Sequence, residues 1–106
     1  MTKNQILDTK KLTKKHLRRP QMYQVVIMND DNTTFETVID IGIKVFGMSE
    51  DDAHCLTLEV HLSGCARIGP FTYDVADTKS IEATDMARVK EEPLMVDVEP
   101  IGKNAS

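Results

Sequence analysis

Catalytic machinery is the first thing missing from this sequence. Its 106 residues hold no glycine-rich phosphate loop, no lipase-type nucleophile elbow and no metalloprotease histidine pair. Phosphoryl transfer, acyl transfer and zinc-assisted hydrolysis therefore have no visible apparatus. Cysteine is scarce as well: Cys55 and Cys65 are the only two, which excludes a disulfide framework. On one continuous helix they would stand about 15 Å apart, beyond a disulfide's reach, so reduced thiols are expected. No apolar run approaches the roughly 18 residues of a membrane helix, and no signal-peptide pattern opens the chain. The cytoplasm is the expected location, with no membrane partner. Repeats and low-complexity segments are absent.

What is present is ordinary in amount and uneven in placement. Hydrophobic residues make up 41% and charged residues 28%, the balance of one globular domain with a modest core. The net charge of −4 conceals an asymmetry. Residues 1–19 hold seven of the 13 Lys and Arg but one of the 17 acids, which leaves six basic against sixteen acidic residues elsewhere. A basic arm precedes an acidic body. Polar and dense in like charge, the arm reads as a flexible extension, either a solvated linker or an arm for a protein partner. Without interleaved aromatics, and with a body that would repel a polyanion, nucleic acid is not the expected partner. Residues 100–106 read as a polar tail.

Between them the pattern predicts a β-α-α-β-α-β order. Tyr23–Met28 is short, apolar and β-branched, as a buried strand is. Asn29 to Asn32 form a turn, and Thr33 with Glu36 fits a capping box. A helix from about Thr34 to Phe46 follows, with Phe35, Val38, Ile39, Gly42, Val45 and Phe46 as its apolar stripe and Gly47 as its C-cap. Gly42 inside that stripe points to close packing against a neighbour. Ser49 caps a second helix whose acids Glu50, Asp51 and Asp52 face the positive end of the dipole; it runs to about Ser63 and stops at Gly64. Ala66–Tyr73 reads as a strand that Gly69-Pro70 marks as an edge or bulge. Asp74 to Val89 is helical by the spacing of Val75, Ala76, Ile81, Ala83, Met86 and Ala87, and Leu94–Val98 is a last strand. The economical packing is α+β: three helices on one face of a three-stranded antiparallel sheet, an α/β sandwich.

Few constellations in that frame carry chemistry. His54, His61 and Cys65 have zinc-ligand character, but seven residues on a helix separate the two histidines by about 10 Å. Cys55 and His61, six apart, point to nearly opposite sides and make a poor nucleophilic pair. No metal, cofactor or catalytic group is expected. Asp30 and Asp31 are adjacent, yet neighbours on extended backbone point apart, and turn formation explains them equally well. The remaining arrangement is a recognition site: an acid and an amide at a strand end, facing a helix that carries Val60-His61, with apolar walls from Val38, Val60 and Leu94. Such a site takes a cationic amine at its rim and a large apolar side chain inside. His61 is equally readable as an ordinary core or surface histidine.

The residues of that site resemble those of a known family. Tyr23-x-Val25-x-x-x-Asn29-Asp30-Asp31-x-Thr33, then Val60-His61-x-x-Gly64, Ala76-Asp77-Thr78-Lys79, and Pro93-Leu94 with Glu99 are similar to ClpS. That family is the adaptor that delivers N-degron substrates to the Clp AAA+ protease. The likeness spans residues 20–99, in order and without gaps. It implies a non-enzymatic, monomeric adaptor that binds proteins whose first residue is Leu, Phe, Tyr or Trp. Carried over by position, Asn29, Asp30 and His61 would hold the α-amino group. Thr33, Phe35, Val38, Thr57, Val60 and Leu94 would line or guard the side-chain pocket. Asp74 and Lys79 match charged contacts to the N-terminal domain of the Clp unfoldase, and the family's N-terminal extension gives residues 1–19 a candidate role in substrate hand-over.

This sequence also departs from the family pattern. Thr34 stands where proline is usual, which implies a looser helix start, and Gly42 and Glu59 are unusual at their positions. Phe35 replaces a gatekeeping methionine and Thr57 a methionine of the pocket wall. Large apolar N-termini should still fit and β-branched ones should not, with a changed ranking of Leu against the aromatics. The alternative reading is a module that docks on the Clp ATPase and modulates it without recognising N-degrons.

Overall fold

The computed structural model describes residues 20–102; the basic extension of residues 1–19 and the tail from residue 103 lie outside them. The elements are β1 (Tyr23–Met28), α1 (Phe35–Lys44), α2 (Glu50–Ser63), β2 (Cys65–Phe71), α3 (Tyr73–Val89) and β3 (Met95–Pro100). The sheet is antiparallel in the order β2-β1-β3, so the most apolar strand is central and paired on both sides. Pairing carries into the expected polar tail, where Ile101 N–H donates to the Met22 carbonyl at 2.9 Å.

Strand alternation sorts the sheet into two faces. Val25 aligns with Ile68 and Val98, and Ile27 with Ala66 and Val96. All three helices cover that face: Val38 and Ile41 of α1 with its cap residue Val45, Leu56 and Val60 of α2, and Ala76 and Ala83 of α3 join Val25 and Ile27 in one core. The opposite face carries Gln24 and Arg67, both donating to Glu99, at 2.7 and 2.9 Å, beside the buried Val26. The expected α+β architecture and element order are what the chain adopts. On the β2 edge, the register shifts between Tyr23 and Val25, opposite Gly69-Pro70, where proline offers no ladder donor.

Helix α2 is bounded as its sequence dictates. Ser49 Oγ accepts from Asp52 N–H at 3.1 Å, and Gly64 closes the helix at φ 92°, a left-handed position open to glycine. Helices α1 and α2 form a tight hairpin around Gly42, where a Cβ would stand 3.1 Å from that of Ala53.

Four details differ from expectation. The α1 cap is Thr34, whose Oγ1 accepts from Thr37 N–H at 3.3 Å; Thr33 is not the cap, and its hydroxyl donates instead to the Pro93 carbonyl. The buried face of α1 carries Thr37, Val38, Ile41 and Gly42, with Ile41 rather than Ile39 at its centre. The helix ends at Lys44, with Val45 as the cap residue and Gly47 two positions further on at φ 67°. On α3 the buried residues are the alanines 76, 83 and 87, while Val75, Ile81 and Val89 face outward. Small side chains let α3 lie close to the sheet, and of its larger apolar residues Met86 packs partly on the core.

Candidate functional site

The chain brings three remote segments together beyond the end of β1. Asn29 N–H donates to the Gly64 carbonyl at 2.9 Å, which ties the strand end to the last turn of α2 and so to Val60 and His61. Thr33, through its bond to Pro93, ties the turn to the segment that leads into β3 and so to Leu94. The turn is braced internally as well. Asn32 N–H donates to Asp30 Oδ1 at 2.8 Å, and Thr33 N–H to the Asp30 carbonyl at 3.0 Å.

Between these segments lies a cavity of about 170 Å³. Asn29, Asp30 and His61 line it, as do Thr33, Phe35, Val38, Thr57, Val60 and Leu94. Val38, Thr57 and Val60 are buried and form its floor, whereas Asn29 and His61 are exposed. Thr57 donates its hydroxyl to the Ala53 carbonyl at 2.8 Å, so its one donor is used within α2. The Phe35 and His61 rings meet edge to face with centroids 5.1 Å apart, and Phe35 remains 47% exposed. An aromatic ring at the rim thereby meets an imidazole edge to face.

Sequence reasoning passed over two lining residues, Met28 and Asp31. Met28 is legible as the last residue of a strand that ends in the site; Asp31 reads in the sequence as a turn residue. Both are there because the cavity opens where β1 stops.

The other sequence candidates lie elsewhere. Asp74 is exposed in the first turn of α3. Lys79 is half-buried: its Nζ donates to the Val45 carbonyl at 2.9 Å and sits 5.8 and 5.9 Å from the ring centres of Phe46 and Phe71. There it neutralises the carbonyl end of α1. Among the described residues no group of three His, Cys, Asp or Glu gathers as metal ligands, and Cys55 and Cys65 are both free.

Residues 18–97 match the family model for the ATP-dependent Clp protease adaptor protein ClpS. The chain belongs to the ClpS family. An ATP-dependent Clp protease adapter protein ClpS from Acetivibrio thermocellus is 40% identical over 91 residues, 86% of this chain and 92% of that relative. ClpS 1 from Rhodopseudomonas palustris is 40% identical over 92 residues, 87% of this chain and 89% of the relative. In three dimensions the chain is similar to Agrobacterium tumefaciens ClpS2 bound to L-phenylalaninamide, with a TM-score of 0.74 and 39% identity over 77% of this chain and 99% of that one. ClpS proteins are adaptors of the Clp protease, and this chain is one of them. Among the described residues no helix is long and apolar enough to cross a membrane.

Proposed function

We propose that this ClpS protein captures substrates by a bulky hydrophobic first residue (Leu, Phe, Tyr or Trp) and delivers them to a Clp AAA+ unfoldase for degradation. The observation that carries the reading is the convergence of acceptor groups and apolar walls on one cavity. A free α-amine has a pKa of about 7.7–8.0 and is mostly ammonium at neutral pH, with three donors to satisfy. In this reading the Asp30 carboxylate, the Asn29 amide oxygen and a neutral His61 nitrogen take one donor each, the amine-capture mode of peptide recognition. Thr33, Phe35, Val38, Thr57, Val60 and Leu94 enclose the side chain. Burying a Leu or Phe there contributes roughly 1.5–3 kcal/mol, so affinity needs the amine and the side chain together. The ligand of the Agrobacterium relative, L-phenylalaninamide, is chemically a minimal N-terminal phenylalanine, with a free amine, a benzyl group and a neutral amide where the next peptide bond would begin.

The adaptor acts as a cytoplasmic monomer, without enzymatic activity and without a nucleic-acid or membrane partner, and docks on the unfoldase's N-terminal domain through the start of α3. With the Lys79 ammonium held inside the fold, Asp74 supplies the more available charge for that contact. The basic residues 1–19 take part in hand-over. The test is fluorescence anisotropy with a Phe-initiated peptide and its N-acetylated twin. Acetylation and Asp30→Ala should each weaken binding about tenfold or more, the loss of a charge-assisted hydrogen bond. Equal affinity for both peptides would remove amine capture and leave a ClpS protein that docks on the ATPase as a modulator.

A further inference from the structure

The rim of the cavity is held from outside by the segment that joins α3 to β3. Glu92 lines no part of the cavity, yet its Oε1 accepts from Thr34 N–H at 2.8 Å and from Thr34 Oγ1 at 3.1 Å. Thr34 is the N-cap of α1 and immediately precedes the gate residue Phe35. On its other side Thr33 donates its hydroxyl to Pro93 and its N–H to the Asp30 carbonyl, while the Asp30 carboxylate accepts from Asn32. Hydrogen bonds and short covalent steps thus run unbroken from Glu92-Pro93 through Thr34 and Thr33 to Asp30. Leu94, next after Pro93, forms part of the cavity wall. One short segment therefore fixes the acid at the rim, the gate beside it and an apolar wall.

We infer that Glu92 is a positioning residue for the ligand site: its carboxylate clamps the first turn of α1 and thereby sets the placement of Phe35 and of the Asp30 turn. The clamp does what a capping-box glutamate does, from a position 58 residues away. The Glu92 carboxyl is held below its ordinary value, foremost by the Thr34 N–H and then by the Thr37 side chain, as befits an acceptor committed to these donors. Glu36, the capping partner that sequence spacing suggests, is displaced from the role. The Thr34 N–H is oriented by its place at the helix start, so Glu92 meets a donor that has no partner within α1.

The effect of the clamp on ligand affinity rests on the proposed capture of N-terminal residues; its effect on the rim does not. The full chain is therefore measured in two ways, as wild type, Glu92→Ala, Glu92→Gln and Asp40→Asn. Amide hydrogen exchange reads the rim, and anisotropy with a Phe-initiated peptide reads the site, both at a temperature where circular dichroism shows every variant folded. Glu92→Ala should speed exchange at Thr34 and weaken the peptide about five-fold, the scale of one lost cap. Glu92→Gln keeps an oxygen that can accept both bonds and should return both readouts to near wild type. Asp40→Asn removes the charge that attracts Lys90 across the 2.8 Å contact, another link between the end of α3 and α1, and should lower stability while affinity holds. Wild-type affinity in Glu92→Ala, or an equal loss in Asp40→Asn, overturns the positioning role. If the wild type itself binds no peptide, the proposed function falls alone; the clamp then stands on faster Thr34 exchange in Glu92→Ala and falls on unchanged exchange.

Discussion

Phe35 and Thr57 give this site its individual shape. At the rim, a stiff ring meets His61 edge to face and cannot flex as an unbranched side chain would. At the floor, a short side chain with its hydroxyl turned to Ala53 leaves room that a longer one would fill. Thr57→Met should accordingly handicap Phe, Tyr and Trp more than Leu. Overpacking costs about 1–3 kcal/mol, so the Leu-to-Phe affinity ratio should rise about tenfold. Paired titrations of Leu- and Phe-initiated peptides measure that ratio, and a constant ratio would show that Thr57 does not set the depth of the pocket. The Val-His pair and the Asn-Asp-Asp turn were legible in the chain because their spacing is local. The Phe35–His61 contact was not, since nothing in either residue's neighbourhood indicates which ring it meets.

Between elements, α1 approaches α2 closely at Gly42. Alanine there would gain about 1 kcal/mol of helix propensity. Its Cβ, however, would stand 3.1 Å from the Ala53 Cβ and 3.4 Å from the Ala53 Cα and the Leu56 side chain. Ala53 is fully buried and its backbone cannot give way without moving α2. Crowding therefore wins: Gly42→Ala should destabilise by about 1 kcal/mol net, and a larger residue by more. Urea denaturation of the two proteins tests the sign, and a raised midpoint would mean that the hairpin can open at little cost. Because α2 carries Thr57, Val60 and His61, the same substitution should also weaken peptide binding. Thr34 belongs to this scale too. The looser helix start that its sequence position suggests is offset by Glu92, a partner visible only once α3 and β3 are folded back.

For the molecule as a whole, several links between elements are carboxylates. Asp40 is lowered by its bond from Lys90, Glu92 by Thr34, and Glu99 by Arg67 and then Gln24. Each lies below its ordinary value of 3.8 or 4.5 in the folded state. The contribution of all three is thus complete above those values and is lost as pH falls through the folded ones. The urea midpoint should fall from about pH 5 to about pH 3, and the triple variant D40N/E92Q/E99Q should flatten that slope. All three groups face solvent, so the effect is modest and weakens with salt. On the alkaline side the ligand's titration governs. Peptide affinity should decline above about pH 8 as the α-amine loses its proton. Affinity level to about pH 10 would mean that the ammonium is not what the rim reads.

Local physics settles a good part of this protein from the sequence alone. A β-branched run makes a central strand, Ser49 and Gly64 bound a helix, and glycine inside an apolar stripe marks a close approach. Each outcome depends on residues within a few positions of one another, where steric limits and unpaired backbone groups act directly. Tertiary structure decided the remainder: Ile41 over Ile39, outward-facing Ile81 and Val89, Lys79 on the Val45 carbonyl, and the bonds from Pro93 and Glu92 to the turn. Those partners stand 34 to 60 residues apart along the chain. Only the packing of three helices on one sheet face brings them within hydrogen-bonding distance, because such bonds act over about 3 Å and carry no signal along the chain.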